Sequence, residues 1–216
     1  MSKLKIGRMV LGGFQTNCYF VYDEDVKKRD GKCPVIIVDP AERGQHIYDT
    51  MRQNNFEVAG ILLTHGHVDH ISGATELSKL SGAHIYAGAQ EENVLQDMRL
   101  NLSERFGMPL RVTPDVRLLD GEICTIADMR FQVITTPGHT EGGCSYYFEE
   151  GGFLISGDTL FEGSVGRTDF PTGSMSVLVR SIKQKLLVLP DKTIVYPGHG
   201  GSTTIAWERE NNPFII

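Results

Sequence analysis

Three histidines and one aspartate lie within six consecutive positions of the sequence, as His65, His67, Asp69 and His70. They directly follow the apolar run Val58–Leu63, which has the composition of a buried strand. Imidazole and carboxylate groups are costly to crowd together at the edge of a core, but they are the side chains that bind Zn²⁺ and related ions. The motif therefore predicts a metal site at the end of a strand.

Three further strand-like segments end in the same way. FQVITTPGH, GFLISGD and TIVYPGH each place an apolar run before a Gly or Pro turn and then one metal-binding group, namely His139, Asp158 and His199. Rigid strands that present polar groups on adjacent loops are a common way of building a site. Glycines that would let the backbone approach an ion closely accompany these turns: Gly66, Gly138, Gly157, Gly198 and Gly200.

The number of candidate ligands indicates two ions rather than one. A single ion with three protein ligands and a water molecule would leave several candidates unused, whereas two ions that share a bridging carboxylate would use them all. We therefore predict a dinuclear centre with ions about 3.5–4 Å apart. No cysteine lies in these motifs, which argues against a closed structural zinc site. The predicted ligands are His65, His67, Asp69, His70, His139, Asp158 and His199.

Each of these residues also has an interpretation without a metal. Asp69 could be the N-cap of a helix that begins near Ile71, with His70 exposed in the first turn of that helix. A single histidine or aspartate after a strand is more often a hydrogen-bonded turn residue than a ligand. Four separate turns with the same residue bias favour the metal site. His46 and His84 lack this context, and we interpret them as a helix-surface residue and a strand residue.

The elements that would position these residues alternate between β-rich runs and helical patterns. Some runs form hairpin-like pairs and others strand–helix units, which predicts mixed sheets, packed face to face with helices outside, in an α/β (α+β) fold. We expect a single domain over residues 1–216, with a seam at Leu110–Gly121 between two similar halves, 1–112 and 113–216. The predicted strands are Lys5–Leu11, Cys18–Tyr22, Val35–Val38, Val58–Leu63, His84–Tyr86, Val116–Leu119, Ile123–Ile126, Arg130–Thr135, Cys144–Phe148, Gly152–Ile155 and Thr193–Tyr196.

Apolar periodicity and capping residues predict the helices. Glu91–Phe106 repeats apolar residues on one face, and it is either a plainly packed element or a movable wall over the site. The other predicted helices are Gln45–Gln53, Ile71–Leu80, a segment from the N-cap Ser174 to Leu189, and a short helix that begins at Ser202 or Thr203.

The motifs resemble those of the metallo-β-lactamase superfamily in order and spacing, and the likeness spans nearly the whole chain. The matching segments are His-x-His-x-Asp-His at 65–70, TPGHT at 136–140, GDTLF at 157–161 and PGHG at 197–200. The resemblance implies a four-layer αββα sandwich of two mixed β-sheets. It also implies that one ion is held by His65, His67 and His139, the other by Asp69, His70 and His199, and that Asp158 bridges them.

Within the superfamily, GDTLFEGSVGRTDFPTGS and TTIAWERENNP are most similar to the small hydroxyacylglutathione hydrolase (glyoxalase II)-like proteins. Antibiotic-degrading members often carry Cys where this chain has Asp158, and they are exported. The chain departs from glyoxalase II in ending soon after His199, where those enzymes carry a helical domain. It also has Arg167 and Asp169 where they tend to have Lys and Tyr that contact glutathione. Arg167 would either bind a substrate carboxylate or pair with Asp169.

The sequence thus predicts a dinuclear metallohydrolase of small-molecule thioesters or esters, in which a hydroxide that bridges the metals attacks the carbonyl. Asp69 and Asp158 would offset the charge of the cations and orient this nucleophile. We expect zinc, with iron or manganese as alternatives, because imidazole and carboxylate ligands suit all three. Two other activities stay open: a mononuclear iron persulfide dioxygenase, which GRTDF also resembles, and a lactonase.

Composition bears on partners and location. The formal net charge of −6 argues against nucleic acid or an anionic membrane as a partner. No apolar run is long enough to cross a bilayer, and the N-terminal residues lack the pattern of a secretion signal, so we expect a cytoplasmic protein. The sequence gives no indication of the oligomeric state.

Overall fold

A computed structural model of the chain describes residues 4–25 and 31–215. Its first sheet has six strands in the order β1 to β6. These are β1 Leu4–Leu11, β2 Thr16–Asp23, β3 Cys33–Val38, β4 Phe56–Leu63, β5 Ile85–Gly88 and β6 Val116–Leu118. Strand β2 is antiparallel to both β1 and β3, and β3 to β6 run parallel, so the sheet is mixed as predicted.

The second sheet also has six strands, in the order β14-β13-β10-β9-β8-β7. The strands of the second half are β7 Ile123–Ile126, β8 Met129–Thr135, β9 Cys144–Phe148, β10 Phe153–Gly157, β11 Leu160–Phe161, β12 Ser164–Val165, β13 Ile194–Pro197 and β14 Thr203–Thr204. Only β10 and β13 pair in parallel, and β11 and β12 form a separate hairpin. All eleven predicted strands are confirmed within a few residues, and the chain passes from the first sheet to the second between Leu118 and Ile123.

Within residues 4–25 and 31–215, six short α-helices complete the fold. They are α1 Gly44–Gln53, α2 Val68–Ile71, α3 Ala74–Ser81, α4 Glu92–Gln96, α5 Met175–Ser181 and α6 Ile205–Asn211. A single π-type turn, Ile182–Leu186, continues α5. Among the described residues no helix is both long and apolar enough to cross a membrane.

The core has three apolar clusters, which define four layers. In β3 the side chains alternate, so that Ile37 packs under α1 and α3 while Ile36 packs between the two sheets, opposite Phe131 and Tyr146. On the far side, Leu154 of the second sheet packs against α5 and α6. Helices therefore cover the outer face of each sheet, which gives the αββα sandwich that the resemblance implied.

The predicted helix Glu91–Phe106 is wrong beyond Gln96. The Asp97 carboxylate accepts hydrogen bonds from the backbone N–H groups of Arg99 and Leu100, which draws the chain out of the helix. The buried Asn101 donates to the carbonyl of Leu110, so the segment from 97 to 110 is an irregular loop. Its role as a movable wall stays a prediction.

The other helices differ from prediction at their ends. The predicted Ile71–Leu80 is divided between α2 and α3, because the backbone of Gly73 packs against that of Pro40, to which it donates a hydrogen bond of 2.8 Å. Helix α6 begins at Ile205, two or three residues later than predicted, and its N-cap is Thr204, which accepts from the N–H of Trp207. Ser174 is the N-cap of α5, as predicted.

Candidate metal centre

The loops that follow β4, β8, β10 and β13 meet at one edge of the sandwich. They carry all seven predicted ligands, and the structure brings these side chains into a single cluster. Asp69 and His70 lie inside α2, where His70 is fully buried, so their interpretations as an N-cap and an exposed first-turn residue are wrong. His46 is exposed on α1, and His84 is exposed just before β5, both apart from the cluster.

Three of the histidines form the first part of the cluster, which we call the three-histidine group: His65, His67 and His139. One ring nitrogen from each lies within 4.8 Å of the others, and all three side chains are buried. The Nδ1 atom of His139 lies 2.7 Å from the backbone carbonyl oxygen of Arg167. That contact requires the proton on Nδ1, so Nε2, which lies 2.9 Å from Nδ1 of His67, keeps a lone pair that can bind a cation.

The second part, which we call the mixed group, consists of Asp69, His70 and His199. Asp69 Oδ2 lies 3.3 Å from His199 Nε2 and 3.5 Å from His70 Nε2. Thr16 Oγ1 donates a hydrogen bond of 3.0 Å to the same carboxylate oxygen. The mixed group thus presents two imidazoles and an oriented carboxylate to one point.

Asp158 lies between the two groups. Its Oδ1 is 3.4 Å from His70 Nε2, and its Oδ2 is 3.5 Å from His199 Nε2 and 3.7 Å from His139 Nε2. A carboxylate that faces imidazoles of both groups has the placement that a bridging ligand requires.

Unpartnered polar atoms test whether the residues fit a metal. Among buried side-chain nitrogen and oxygen atoms of the described residues, three have no hydrogen-bond partner: His65 Nε2, His67 Nε2 and Asp158 Oδ1. Buried polar atoms are almost always hydrogen-bonded, and all three of these belong to predicted ligands. The donor set therefore fits divalent cations.

The two groups differ in charge. Burial lowers the pKa of His65 well below its usual value and that of His67 to about 3, so these imidazoles are neutral at pH 7. Burial also disfavours a charge on His70 and His199. However, the neighbouring carboxylates outweigh burial there, raising the pKa of His70 well above its usual value and that of His199 to about 9. Without a metal, protonated His70 and His199 therefore supply the positive charge that a cation would bring to the mixed group.

This charge difference predicts a pH dependence for the metal-free protein. His199, with a folded-state pKa of about 9 against 6.5 when unfolded, stabilises the fold fully below pH 6.5 and loses that contribution as the pH rises through 9. We expect a loss of about 2–3 kcal/mol in the free energy of unfolding across this window. Urea titrations of the chelator-treated protein measure it. The loss should shrink in His199→Gln and persist in His46→Gln, and an identical profile in His199→Gln would contradict the assignment.

Asp39 is a residue of the site that the sequence analysis missed. Its Oδ2 lies 2.9 Å from His70 Nδ1 and accepts a 2.6 Å hydrogen bond from Thr64, while its Oδ1 accepts from the Thr64 N–H. Asp39, His65 and His70 also lie close enough to hold an ion, but Asp39 is already occupied by these bonds, so we interpret it as the residue that orients His70. The available signal was its position directly after the apolar run of β3.

Arg167 and Asp169, the predicted substrate contacts, lie beside the three-histidine group. Arg167 donates to both carboxylate oxygens of Asp169, at 2.7 and 2.6 Å, which is the ion pair that the sequence left as one alternative. The guanidinium also stacks 3.9 Å above the ring of Phe170, and that ring contacts His67 edge-on, with ring centroids 5.8 Å apart. That the backbone carbonyl of Arg167 orients His139 could not be predicted from the sequence.

Comparisons with known proteins agree with this geometry. A family model described as the metallo-beta-lactamase superfamily matches residues 11–199. The hydroxyacylglutathione hydrolase GloC of Haemophilus influenzae is 33% identical over 208 residues, which cover 94% of this chain and 93% of that protein.

Two solved structures are similar over nearly their whole length. The BLEG-1 B3 metallo-beta-lactamase has a TM-score of 0.90 and 36% identity, and the match covers 98% of this chain and 99% of that one. TTHA1623 in a di-iron-bound form has a TM-score of 0.82 and 31% identity, with 96% and 99% covered. The chain therefore belongs to the metallo-beta-lactamase superfamily of metal-dependent hydrolases.

Proposed function

We propose that this chain hydrolyses thioesters of small molecules, of the hydroxyacylglutathione type, at two divalent cations. The observation that carries the proposal is the placement of Asp158 between two separate groups of ligands, within 3.4–3.7 Å of imidazoles from both. The GloC relative supports the substrate class, and the di-iron form of TTHA1623 supports two ions. Zinc is the metal that we propose, and iron and manganese are the alternatives.

We assign one cation to each of the two groups of ligands. The three-histidine group would hold one ion, the mixed group the other, and Asp158 would bridge them. When bound, two such cations lower the pKa of water toward neutrality and polarise a carbonyl oxygen. Asp39 and the Arg167 carbonyl fix the imidazole tautomers, so the nitrogens that face the cations carry no proton.

Asp69 has a positioning role in the proposed reaction. In the metal-free protein, burial alone would raise its pKa, but His70 and His199 hold the pKa at about 2, so the carboxylate is ionised. In the proposed reaction this carboxylate would accept a hydrogen bond from the attacking hydroxide. The hydroxide, formed when water gives a proton to solvent, would add to the thioester carbonyl carbon. The C–S bond would then break, releasing a thiolate and a carboxylic acid, and the acid would lose its proton to solvent. Since free thiols have a pKa of about 8.5, this leaving group needs no dedicated general acid.

The substrate would enter past Arg167, Asp169 and Phe170. The ion pair with Asp169 uses one edge of the Arg167 guanidinium, and we propose that the remaining N–H groups contact the substrate. An aromatic ring beside a guanidinium suits a substrate that combines an apolar acyl chain with a carboxylate.

Turnover before and after metal removal tests the proposal. We expect the purified protein to hydrolyse S-lactoylglutathione, to lose at least about 100-fold in kcat/KM on chelation, and to regain activity with Zn²⁺, Fe²⁺ or Mn²⁺. Metal analysis of the active protein should give about two ions per chain. Unchanged turnover by a metal-free preparation would contradict the mechanism.

A substrate panel separates the alternatives. Simple thioesters, a lactone and a β-lactam belong in it, the last because BLEG-1, at 36% identity, is described as a metallo-beta-lactamase. Oxygen consumption with glutathione persulfide, together with about one iron per chain, would show that the chain is a persulfide dioxygenase and not a thioester hydrolase.

A further inference from the structure

Glu91 is a buried carboxylate that the proposed reaction does not use. It ends a short 3₁₀ turn, Ala89–Glu91, that follows β5, and only 1% of its surface is exposed. No ion pair of Glu91 is found within residues 4–25 and 31–215. Burial raises the pKa of Glu91 to about 7, and an ionised carboxylate in this setting needs several hydrogen-bond donors.

Its donors come from two different loops. Oε1 accepts a 2.7 Å hydrogen bond from the N–H of Gly66, which lies between the first two histidines of the three-histidine group. Oε2 accepts from the N–H of Gly142 at 2.8 Å and from Oγ1 of Thr140 at 3.0 Å, and Thr140 directly follows the third histidine. One carboxylate therefore joins the two loops that carry the whole group.

The packing around this carboxylate leaves little room for adjustment. A Cβ atom at Gly142 would lie 2.1 Å from the backbone of both Gln90 and Glu91, and a Cβ at Gly66 would lie 2.8 Å from Val94. The Gly142 loop thus touches the 3₁₀ turn through its backbone, whereas Gly66 packs against the Val94 side chain of α4. Because both loops also donate to the carboxylate, a shift of Glu91 would move both of them.

We propose that Glu91 is a positioning residue, which sets the separation between the His65–His67 loop and the His139 loop and thereby the geometry of the three-histidine metal site. The inference rests on the proposed function in requiring that this group holds an ion. Glu91 is the last residue of the 3₁₀ turn after β5, and its hydrogen bonds go to Gly66, Thr140 and Gly142, none of which is a predicted ligand.

Glu91→Gln is the sharpest variant, because it is isosteric. One oxygen of Glu91 faces a backbone N–H of the first loop, and the other faces a backbone N–H of the second. Whichever way the amide lies, its NH₂ must face a backbone donor that cannot accept. We expect Zn²⁺ affinity to fall by about 10–100-fold, as for other residues that support metal ligands. The matched control is Glu92→Gln, whose exposed carboxylate pairs with Arg117.

A second pair of variants decides the question if Glu91→Gln does not fold. Thr140→Val removes one donor to the carboxylate, whereas Thr140→Ser keeps the hydroxyl. We expect a several-fold loss of Zn²⁺ affinity in the first, and recovery to nearly wild-type affinity in the second.

Competition with a chromophoric chelator measures Zn²⁺ affinity, Co²⁺ absorption spectra report the ligand geometry, and urea unfolding of the metal-free proteins reports the fold. Weaker Zn²⁺ binding with an altered Co²⁺ spectrum, in Glu91→Gln and Thr140→Val only, supports the inference. Wild-type affinity and spectra in Glu91→Gln, or in Thr140→Val if the first variant is unfolded, would overturn the inference about Glu91 but not the proposed function. A wild-type protein that binds no metal would overturn the proposed function as well.

Discussion

Asp158→Asn is expected to lower kcat/KM for thioester hydrolysis by about 10²–10⁴-fold and to reduce the bound metal from about two ions per chain to about one. Burial alone would raise the pKa of Asp158, but His70, His199 and His139 hold it well below the usual value, so the side chain is an anion throughout the neutral range. Asparagine keeps the shape and one ligand oxygen, but it removes the negative charge between two cations. Removing one partner of a buried ion pair costs about 3–5 kcal/mol.

The matched control for this variant is Asp191→Asn. Asp191 is 71% exposed and pairs with Arg209 away from the cluster, so neutralising it should leave metal content and turnover unchanged. Metal analysis and steady-state kinetics on both variants provide the measurement. An Asp158→Asn protein that keeps two ions and stays within tenfold of wild-type kcat/KM would show that Asp158 is not a bridging ligand.

The strands and the residues of the cluster could be predicted from the sequence because each is encoded locally. An apolar run, a Gly or Pro turn and one His or Asp recur three times, and a fourth apolar run leads directly into the His-x-His-x-Asp-His motif. Each instance needs only its own neighbours to be recognised. At Asp39, too, a polar residue follows an apolar run, that of β3, but no Gly or Pro turn separates them. Asp39 orients His70. Local pattern finds residues at strand ends, but it does not separate ligands from the groups that support them.

The segment from 91 to 110 could not be predicted because long-range contacts decide its structure. Its apolar spacing is that of a helix, but within this segment only α4, Glu92–Gln96, is α-helical. Beyond Gln96, the amide of Asn101 and the carbonyl of Leu110 meet inside the protein, and Val112 donates back to the carbonyl of Leu95. These contacts outweigh helical propensity, which is a weak preference wherever tertiary contacts compete. Glu91 escaped notice for the same reason, since its donors lie 25 to 51 residues away.

The second large effect is expected from the smallest substitution, Gly198→Ala. A Cβ atom at this position would lie 2.2 Å from Asp158 Oδ1 and 2.6 Å from His70 Cε1, far closer than atoms can approach. The backbone cannot move aside, because Gly198 donates to the Gly157 carbonyl at 2.8 Å and accepts from the Asn17 N–H at 2.7 Å. The Asp158 carboxylate or the His70 imidazole must therefore be displaced.

We expect Gly198→Ala to lose at least one of the two ions and about 100-fold or more in kcat/KM, while the metal-free fold loses only about 1–3 kcal/mol, the usual cost of one added methyl group in a packed site. Gly13→Ala is the matched control, since a Cβ there meets nothing within 4 Å. Metal analysis, kinetics and urea unfolding of both variants test this. Full metal content and near-wild-type turnover in Gly198→Ala would mean that His70 and Asp158 do not need their observed positions, which would remove the geometric basis of the dinuclear site.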